Sequence, residues 1–421
     1  MSNRSGTILF LLFAAAFLIL NRAAYQGYFK DDDMMTLGWT HWGPASAFLK
    51  ATLNPLEDLR AVGFLYYYAA EKLFGMDYPK YVAVLHAFHL LNVWLIWLLV
   101  RRVGAVVPAA SAACAFFGLH MALFDAIWKP MFVFDVLCAT FCLLSIVLWA
   151  RGNWILSLLS FWLAYKSKEL AVMLPLVLVC YESWFGKRQW TRLAPFLVVS
   201  FGLGLRSLAI SPARDADYIF HFTPAALART CPFYLGQVFM VPYLGLLLPV
   251  GAALARNRRT WFGMAMMGLF FFPLLWLPGR VLSPYCYLPF AGLAVALSGM
   301  AEAAKPVAIA VFFLLWLPWD LYSLHTQQND ALRMARDARE WVITLARFAA
   351  NRPAVAGFVY YGMPEGFHDW GMEGAAKYYF RRVDIIISSA ATPEGGKLRQ
   401  QRQTAVLNWD EQQHKLEIQM P

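Results

Sequence analysis

The densest acidic cluster of the chain, YFKDDDMMTLGW (28–39), follows closely after the first apolar segment. Adjacent carboxylates suit acid–base chemistry, because the negative charge of one raises the proton affinity of the other. A charge run is usually a solvated face, but aromatic and methionine residues flank this one on both sides, which favours a functional role. The predicted catalytic residues are Asp32, Asp33 and Asp31.

Further ionisable side chains lie in or beside apolar segments, where a charge is costly and therefore indicates function. Basic groups at a membrane interface can bind a lipid phosphate, and we expect the histidines and carboxylates to lie with them at one cavity. Structural explanations stay open. Basic residues at span ends can reach the interface, and histidines can bond neighbouring helices. Asp125 and Asp135 can pair with neighbouring basic groups to keep the helices in register, and KSKE (166–169) can form a solvated hairpin. The candidates are Arg60, His86, His89, Asp125, Lys129, Asp135, Lys166, Lys168, Glu169 and Arg280.

Long apolar helices must position these residues. The chain has 421 residues, of which 60% are hydrophobic and 15% are charged, against about 25% charged residues in an average soluble domain. Apolar runs of about 17–22 residues can cross a bilayer core of roughly 30 Å as helices. We predict eleven such spans, near 6–24, 81–100, 106–124, 131–150, 153–166, 169–185, 193–210, 231–252, 261–278, 285–301 and 306–323.

Loop charges orient the predicted spans. Basic residues gather in alternate loops, as at 101–102, 187–192 and 256–259, and such loops face the cytoplasm. The N-terminus is then cytoplasmic, its apolar run is an uncleaved signal anchor, and the C-terminus lies outside. The first outer loop, about residues 25–80, contains the acidic cluster and amphipathic segments that we expect to lie along the membrane. The candidate residues then gather at the outer membrane face.

Charge and cysteine content exclude other classes of protein. The net charge of +10 is spread over short basic clusters, whereas a nucleic-acid binder concentrates its charge on one face. All six cysteines lie in or beside apolar runs. This placement argues against a disulfide framework or a zinc site.

The composition changes after about residue 324. The segment 331–348 is typical of an amphipathic helix, and 369–382 of a second helix. The stretches AVAGFVYYGMP, VDIIISS, TAVLNWD and KLEIQM predict short strands. We therefore predict two domains, an all-α polytopic membrane domain over 1–323 and a small extracytoplasmic α/β domain over 324–421.

The combination of an outward-facing carboxylate and a basic phosphate clamp suits one reaction. The carboxylate would deprotonate an acceptor hydroxyl, and the basic groups would stabilise the phosphate that leaves as a sugar is transferred from a lipid carrier. The sequence therefore predicts sugar transfer from a lipid phosphate to an acceptor outside the membrane.

In its motif order, residues 1–300 resemble the GT-C superfamily of integral-membrane glycosyltransferases. The closest resemblance is to bacterial relatives of the protein O-mannosyltransferases and of the TPR-containing transmembrane O-mannosyltransferases. FKDDD (29–33) matches the family's F-x-x-D-D, LHAFHLLN (85–92) its histidine-rich second span, SKELAVMLP (167–175) its S-K-E…L-P, and GRVLSPYCYLP (279–289) loosely its R-Y-x-Y-L-P. Further matches are Arg60, followed by Ala61 in place of the usual proline, and His120, Asp125, Trp128 and Asp135 in the third and fourth spans.

The resemblance implies a hexosyltransferase that uses an undecaprenyl- or dolichyl-phosphate sugar and acts on a glycan, lipid or protein acceptor of the cell envelope. It implies that Asp32 is the general base, assisted by Asp33 and Asp31. Lys168 and Arg280 would hold the carrier phosphate, with Lys166 next, and His86, His89, Glu169 and Tyr287 would line the cavity. No TPR array follows the last span, so the acceptor stays open. Since some GT-C enzymes use Mg²⁺ or Mn²⁺, the metal stays open as well.

Two other functions remain as alternatives. A transporter or flippase of lipid-linked glycans would also be polytopic, but transporters usually place their charges near the midplane of internal repeats, and no repeat is visible here. A non-catalytic membrane scaffold would explain the C-terminal domain but not the acidic cluster. A labelled lipid-linked sugar distinguishes transport from transfer.

Overall fold

The computed structural model describes residues 3–57, 60–210, 216–351, 355–401 and 403–420. The side chains of residues 3–5 and of residue 210 lie outside this description, as do residues 211–215 in the outer loop that follows the predicted span near 193–210. The α-helices of these ranges are α1 (Asn3–Leu20), α2 (Asp31–Thr40), α3 (Ala45–Leu53), α4 (Ala61–Phe74), α5 (Tyr78–Arg102), α6 (Val107–Leu119), α7 (Phe124–Trp128), α8 (Val133–Ala150), α9 (Trp154–Ser167), α10 (Leu174–Trp184), α11 (Trp190–Ile210), α12 (Pro224–Gln237), α13 (Leu247–Ala255), α14 (Arg258–Phe271), α15 (Tyr287–Ala303), α16 (Pro306–Asn351), α17 (Asp369–Phe380) and α18 (Pro393–Arg399).

The fold is therefore mostly helical, with a small C-terminal sheet. Four strands follow α16: β1 (Gly357–Tyr361), β2 (Ile386–Ser389), β3 (Thr404–Asp410) and β4 (Lys415–Gln419). Their order is β2-β1-β3-β4. Strand β1 runs parallel to both of its neighbours, and β4 runs antiparallel to β3. The predicted strands and the predicted helix at 369–382 are present.

Contacts within the molecule divide the chain into two compact units. The helical unit comprises the segment up to Asn21, Leu85–Trp128 and Phe132–Leu324. The sheet unit comprises Arg22–Val84, Lys129–Met131 and the chain from His325 onward. The first loop thus belongs to the same unit as the sheet, and one division between the units falls at residues 324 and 325. The predicted domains over 1–323 and 324–421 stay a prediction.

The predicted number of eleven spans is not confirmed. Among the described residues, five helices are long and apolar enough to cross a membrane, or six if a pair bent by 44° counts as one span. Several predicted spans are shorter helices: α9 and α14 have 14 residues each, or about 21 Å at 1.5 Å per residue. The span predicted at 231–252 is divided between α12 and α13, because Met240 and Tyr243 adopt left-handed φ angles of 54° and 60° between them.

The bent pair is formed by α6 and by residues 121–128, which begin with a short 3-10 turn and continue into α7. At the bend His120 takes an extended conformation, and its Nδ1 accepts a hydrogen bond from the Ala122 main-chain N–H at 3.1 Å. A carboxylate oxygen of Asp320 on α16 accepts from the Met121 N–H at 2.9 Å. Side chains thus satisfy main-chain donors that the helix break exposes.

Within the sheet unit, α17 is fixed against α2 by close main-chain contact. A β-carbon added at Gly38 would lie 2.6 Å from the Gly374 carbonyl oxygen, and one added at Gly374 would overlap the main chain of Met34 and Met35. Tyr378, near the end of α17, donates a hydrogen bond to Glu71 on α4 at 3.3 Å. These contacts bring the first loop and α17 together within one unit.

Candidate functional site

The acidic motif, Asp31–Asp33, forms the first turn of α2, where carboxylates are favourable because the helix dipole is positive there. Asp33 closes a capping box: its Oδ2 accepts a hydrogen bond from the main-chain N–H of Lys30, the N-cap residue, at 3.4 Å. The three side chains have different partners, so the motif is not a uniform acidic patch.

Asp33 is the buried member of the motif, with 1% of its surface exposed. Its Oδ1 accepts a hydrogen bond from the Tyr67 hydroxyl on α4 at 2.6 Å. Burial raises the pKa of Asp33 to about 7, while the bonds from Tyr67 and Lys30 oppose the rise and the charges of the neighbouring aspartates add to it. Asp33 therefore keeps its proton to a higher pH than an exposed aspartate does.

Asp31 is held by the C-terminal part of the chain. Its Oδ1 accepts from the His368 main-chain N–H at 2.8 Å and lies 3.1 Å from the His368 Nδ1. Its φ of 39° lies in the left-handed region, which costs a non-glycine residue roughly 1–3 kcal/mol and persists only where contacts enforce it. One such contact is Gly371, where an added β-carbon would lie 2.7 Å from the Asp31 main-chain nitrogen.

Asp32 is the most accessible member of the motif, since it is half-buried whereas both neighbours are buried. Its Oδ1 accepts a hydrogen bond from the indole Nε1 of Trp370 at 3.0 Å. Over the described ranges, the second oxygen, Oδ2, accepts no hydrogen bond. Of the three carboxylates, Asp32 can thus present an oxygen to an external hydroxyl.

A basic cluster lies in the helical unit. Lys168, extended at the end of α9, places its Nζ 2.5 Å from an oxygen of Asp135 on α8 and 4.2 Å from the ring centroid of Tyr285. The hydroxyl of Tyr285 accepts from the Arg280 Nε at 3.2 Å. The Arg280 guanidinium also lies 4.6 Å from the ring centroid of Tyr218. Two cations of the kind that bind phosphate are thus linked through one tyrosine.

The stretch KSKE is not a solvated hairpin, because Lys166 and Ser167 are fully buried. The Lys166 Nζ lies 5.6 Å from the ring centroid of Trp162. Lys168 and Glu169 are half-buried at the junction between α9 and a 3-10 helix, Glu169–Met173. The chain leaves the helix at Lys168, and the two lysines contact different aromatic rings, Lys166 that of Trp162 and Lys168 that of Tyr285.

The histidines of the second span are packed in the core of the helical unit. His86 and His89 are 1% and 0% exposed and bond the carbonyls of Ile127 and Gly118, each at 3.1 Å. The His89 Nδ1 accepts from the Tyr287 hydroxyl at 2.7 Å, which in turn accepts from Asn92 at 3.2 Å. These bonds satisfy carbonyls near the ends of α6 and α7, a structural role. Substrate contact by His86, His89 and Tyr287 stays a prediction.

Arg60 is the N-cap residue of α4, two turns before Tyr67 on the same helix. Sequence reasoning missed three residues that contact the acidic motif: Tyr67, His368 and Trp370. Tyr67 stands in an aromatic run, YYY (66–68), and this run could have indicated a buried segment. No local pattern connects His368 or Trp370 with a motif more than three hundred residues earlier.

The acidic motif does not form an oxygen cage for a cation. Hard divalent cations take six or more oxygen ligands directed at one point, whereas the three aspartates are each bonded to a different donor. No group of three or more histidine, cysteine or carboxylate side chains in the described part of the chain is arranged to hold a metal. We derive no step through a metal.

Comparisons with known proteins give the fold. No protein-family profile matches the sequence, and no curated protein matches it. Two crystal structures of ArnT from Cupriavidus metallidurans match, each over 98% of this chain and 94% of ArnT. The apo form has a TM-score of 0.58 and 14% sequence identity. The form bound to undecaprenyl phosphate has a TM-score of 0.56 and 13% sequence identity. The cryo-EM structure of the arabinofuranosyltransferase AftD from Mycobacteria matches over 93% of this chain with a TM-score of 0.51 and 16% identity, and the chain spans 32% of AftD.

ArnT and AftD are integral-membrane glycosyltransferases of the GT-C superfamily. The chain therefore has a GT-C fold, and the predicted resemblance to that superfamily is confirmed. The O-mannosyltransferase branch is not confirmed.

Proposed function

We propose that the protein is a glycosyltransferase that transfers a sugar from a polyprenyl-phosphate carrier to an acceptor hydroxyl outside the membrane. The observation that carries the proposal is the shared fold, which covers 98% of this chain and 94% of an ArnT structure solved with undecaprenyl phosphate. The same class of donor is proposed here because this chain also contains an accessible carboxylate and a linked pair of cations.

The proposed general base is Asp32. A carboxylate oxygen of Asp32 takes the proton of the acceptor hydroxyl while the hydroxyl oxygen forms a bond to the anomeric carbon of the sugar. The bond between the anomeric carbon and the phosphate oxygen breaks, and the carrier phosphate leaves with the electron pair. Asp33 and Asp31 assist by holding the first turn of α2 and by keeping negative charge near the base.

Lys168 and Arg280 are the proposed ligands of the carrier phosphate, with Lys166 next. The Arg280 fork can bond two phosphate oxygens, and the Lys168 ammonium adds a point charge. Their shared contact with Tyr285 supports this role, since it preorganises both cations before the donor binds. Arg60 is proposed to contact the substrate, and His86, His89, Glu169 and Tyr287 to line the cavity.

The finer features are proposed from the sequence. The chain would cross a bacterial inner membrane eleven times, with a cytoplasmic N-terminus and a periplasmic domain over 324–421. The alternation of basic loops supports this orientation. A hexose is the proposed sugar, on the motif match of FKDDD and SKELAVMLP to the mannosyltransferase branch.

The test uses purified protein in detergent, undecaprenyl-phosphate hexoses labelled in the sugar, and an extract of the host envelope as acceptor. Asp32→Asn should lower transfer by about 100-fold or more. The matched control is Asp77→Asn, which removes a carboxylate of the same loop that is paired with Lys80 and 41% exposed. Full transfer by Asp32→Asn at normal expression would overturn the assignment of the base, and movement of label across vesicles without transfer would indicate a flippase.

A further inference from the structure

Two residues of the C-terminal domain bond the acidic motif directly. Trp370 donates its indole N–H to Asp32 at 3.0 Å, and His368 contacts Asp31 through its main-chain N–H at 2.8 Å and its Nδ1 at 3.1 Å. All four residues belong to the sheet unit. We infer that Trp370 and His368 are positioning residues for the proposed reaction, so that the C-terminal domain completes the catalytic motif. This inference rests on the proposed function.

The bond from Trp370 selects one oxygen of the base. An indole N–H is a donor only, and it is directed at Asp32 Oδ1. Rotation of the carboxylate is thereby restricted, and Oδ2, which accepts no bond within the described ranges, is kept toward an external hydroxyl. A base must lie within hydrogen-bond reach of the proton that it removes. A carboxylate held in one orientation therefore supports a higher rate of proton transfer than a mobile one.

The two positioning residues also support each other. The rings of His368 and Trp370 stack with a centroid distance of 4.4 Å and an angle of 7° between their planes. His368 is the N-cap residue of α17, and Trp370 is the second residue of that helix. The first turn of α17 therefore presents both donors, His368 to Asp31 and Trp370 to Asp32.

Helix packing explains how these bonds are held. The glycines of α17 let its main chain approach α2: Gly371 lies against Asp31, and Gly374 lies against Met34 and Gly38. The left-handed φ of Asp31, 39°, occurs at this contact. Because strain of this kind persists only where the surroundings enforce it, the geometry of the acidic motif depends on α17.

The first experiment compares indole N–H donors of the same domain. Trp370→Phe keeps an aromatic ring and removes the donor to Asp32. The matched control is Trp409→Phe, since the Trp409 indole donates to Glu411 at 2.9 Å, away from the acidic motif. Trp370→Phe should lower kcat about tenfold with a KM for the lipid-linked sugar within about twofold, and Trp409→Phe should retain the wild-type kcat. A wild-type kcat for Trp370→Phe, or an equal loss in both variants, would overturn the inference.

The second experiment does not depend on activity. His368→Ala removes the Nδ1 contact with Asp31, and its control, His414→Ala, removes an equivalent contact with Asp337 at 3.0 Å. Amide hydrogen exchange of a peptide spanning 29–36 should be several-fold faster in His368→Ala than in the wild type or in His414→Ala. Equal exchange in the two variants would contradict the positioning role.

The two readouts separate the hypotheses. If the wild-type protein transfers no sugar from a polyprenyl carrier, the proposed function fails, while the exchange contrast still decides whether His368 positions the acidic motif. If the wild type transfers sugar and neither Trp370→Phe nor His368→Ala differs from its control, the proposed function stands and the inference fails.

Discussion

The hydrogen bond between Tyr67 and Asp33 gives the sharpest quantitative prediction. Asp33 is 1% exposed, its carboxylate accepts from the Tyr67 hydroxyl at 2.6 Å, and its pKa is about 7 against an ordinary value of 3.8. Because the folded-state pKa is raised, the folded protein holds a proton that the unfolded chain loses above about pH 4. The contribution of Asp33 to stability therefore falls as the pH rises from about 4 to 7, and above 7 the buried charge is present in full.

Tyr67→Phe removes the hydroxyl from whichever form of Asp33 is present. A bond to a neutral carboxyl is worth about 1 kcal/mol, and one to a carboxylate about 1.5–3. The loss of unfolding free energy should therefore be about 1 kcal/mol near pH 5.5 and about 2–3 kcal/mol near pH 8.5. The difference of about 1–2 kcal/mol corresponds to a rise of about one pKa unit for Asp33, since one unit is 1.36 kcal/mol.

The assay is unfolding of the detergent-solubilised protein, followed by tryptophan fluorescence at both pH values. The matched control is Tyr66→Phe, because the Tyr66 hydroxyl is buried with no hydrogen-bond partner among the described residues; this change should be neutral or stabilising. In the background of Asp33→Asn, the cost of Tyr67→Phe should lose its pH dependence. An equal cost at both pH values in the wild-type background would refute the reasoning.

Three further predictions address other parts of the molecule. Asp135→Asn should cost about 3–5 kcal/mol because it leaves Lys168 unpaired at a side-chain exposure of 12%, whereas Asp77→Asn, which leaves Lys80 unpaired at a side-chain exposure of 56%, should cost under about 1 kcal/mol; denaturant titration measures both. Gly374→Val should destabilise the protein because its side chain would overlap the main chain of Met34, while Gly396→Ala, which has no heavy atom within 4 Å of the added carbon, should not; thermal unfolding compares the two. Transfer should persist in excess chelator, since the three aspartates are bonded to separate donors; a loss that Mg²⁺ or Mn²⁺ restores would contradict this.

Local patterns predicted much of the fold. Alternation of apolar and polar residues located the strands of the sheet, and helical spacing located α17 and the second half of α16. The cost of ionisable groups in apolar segments singled out Asp135 and Lys168, which form an ion pair. The number of spans was less predictable, because 3-10 turns and left-handed residues such as Met240 interrupt helices within continuous apolar runs. Pro242 stands at the break between α12 and α13 and was a local signal of it.

The partners of the acidic motif were beyond such patterns. His368 and Trp370 are 337 and 338 residues away from Asp31 and Asp32. A contact across that distance depends on tertiary packing. Secondary-structure propensity and hydrophobic periodicity describe only local sequence, so they do not predict it. The division of the triplet among Tyr67, His368 and Trp370 was therefore visible only in three dimensions, whereas its catalytic role, predicted from its flanking residues and its motif match, stays a prediction.

The contact between α2 and α17 has a consequence for biosynthesis. The partners of residues 31–38, at 368–374, are made more than three hundred residues later in translation. At about 5–20 residues per second, α2 waits roughly 15–70 s for its packing partner. A chain that is released before residues 368–374 are made would thus lack the contacts of α17 with the acidic turn, so the packing of α2 depends on the order of translation.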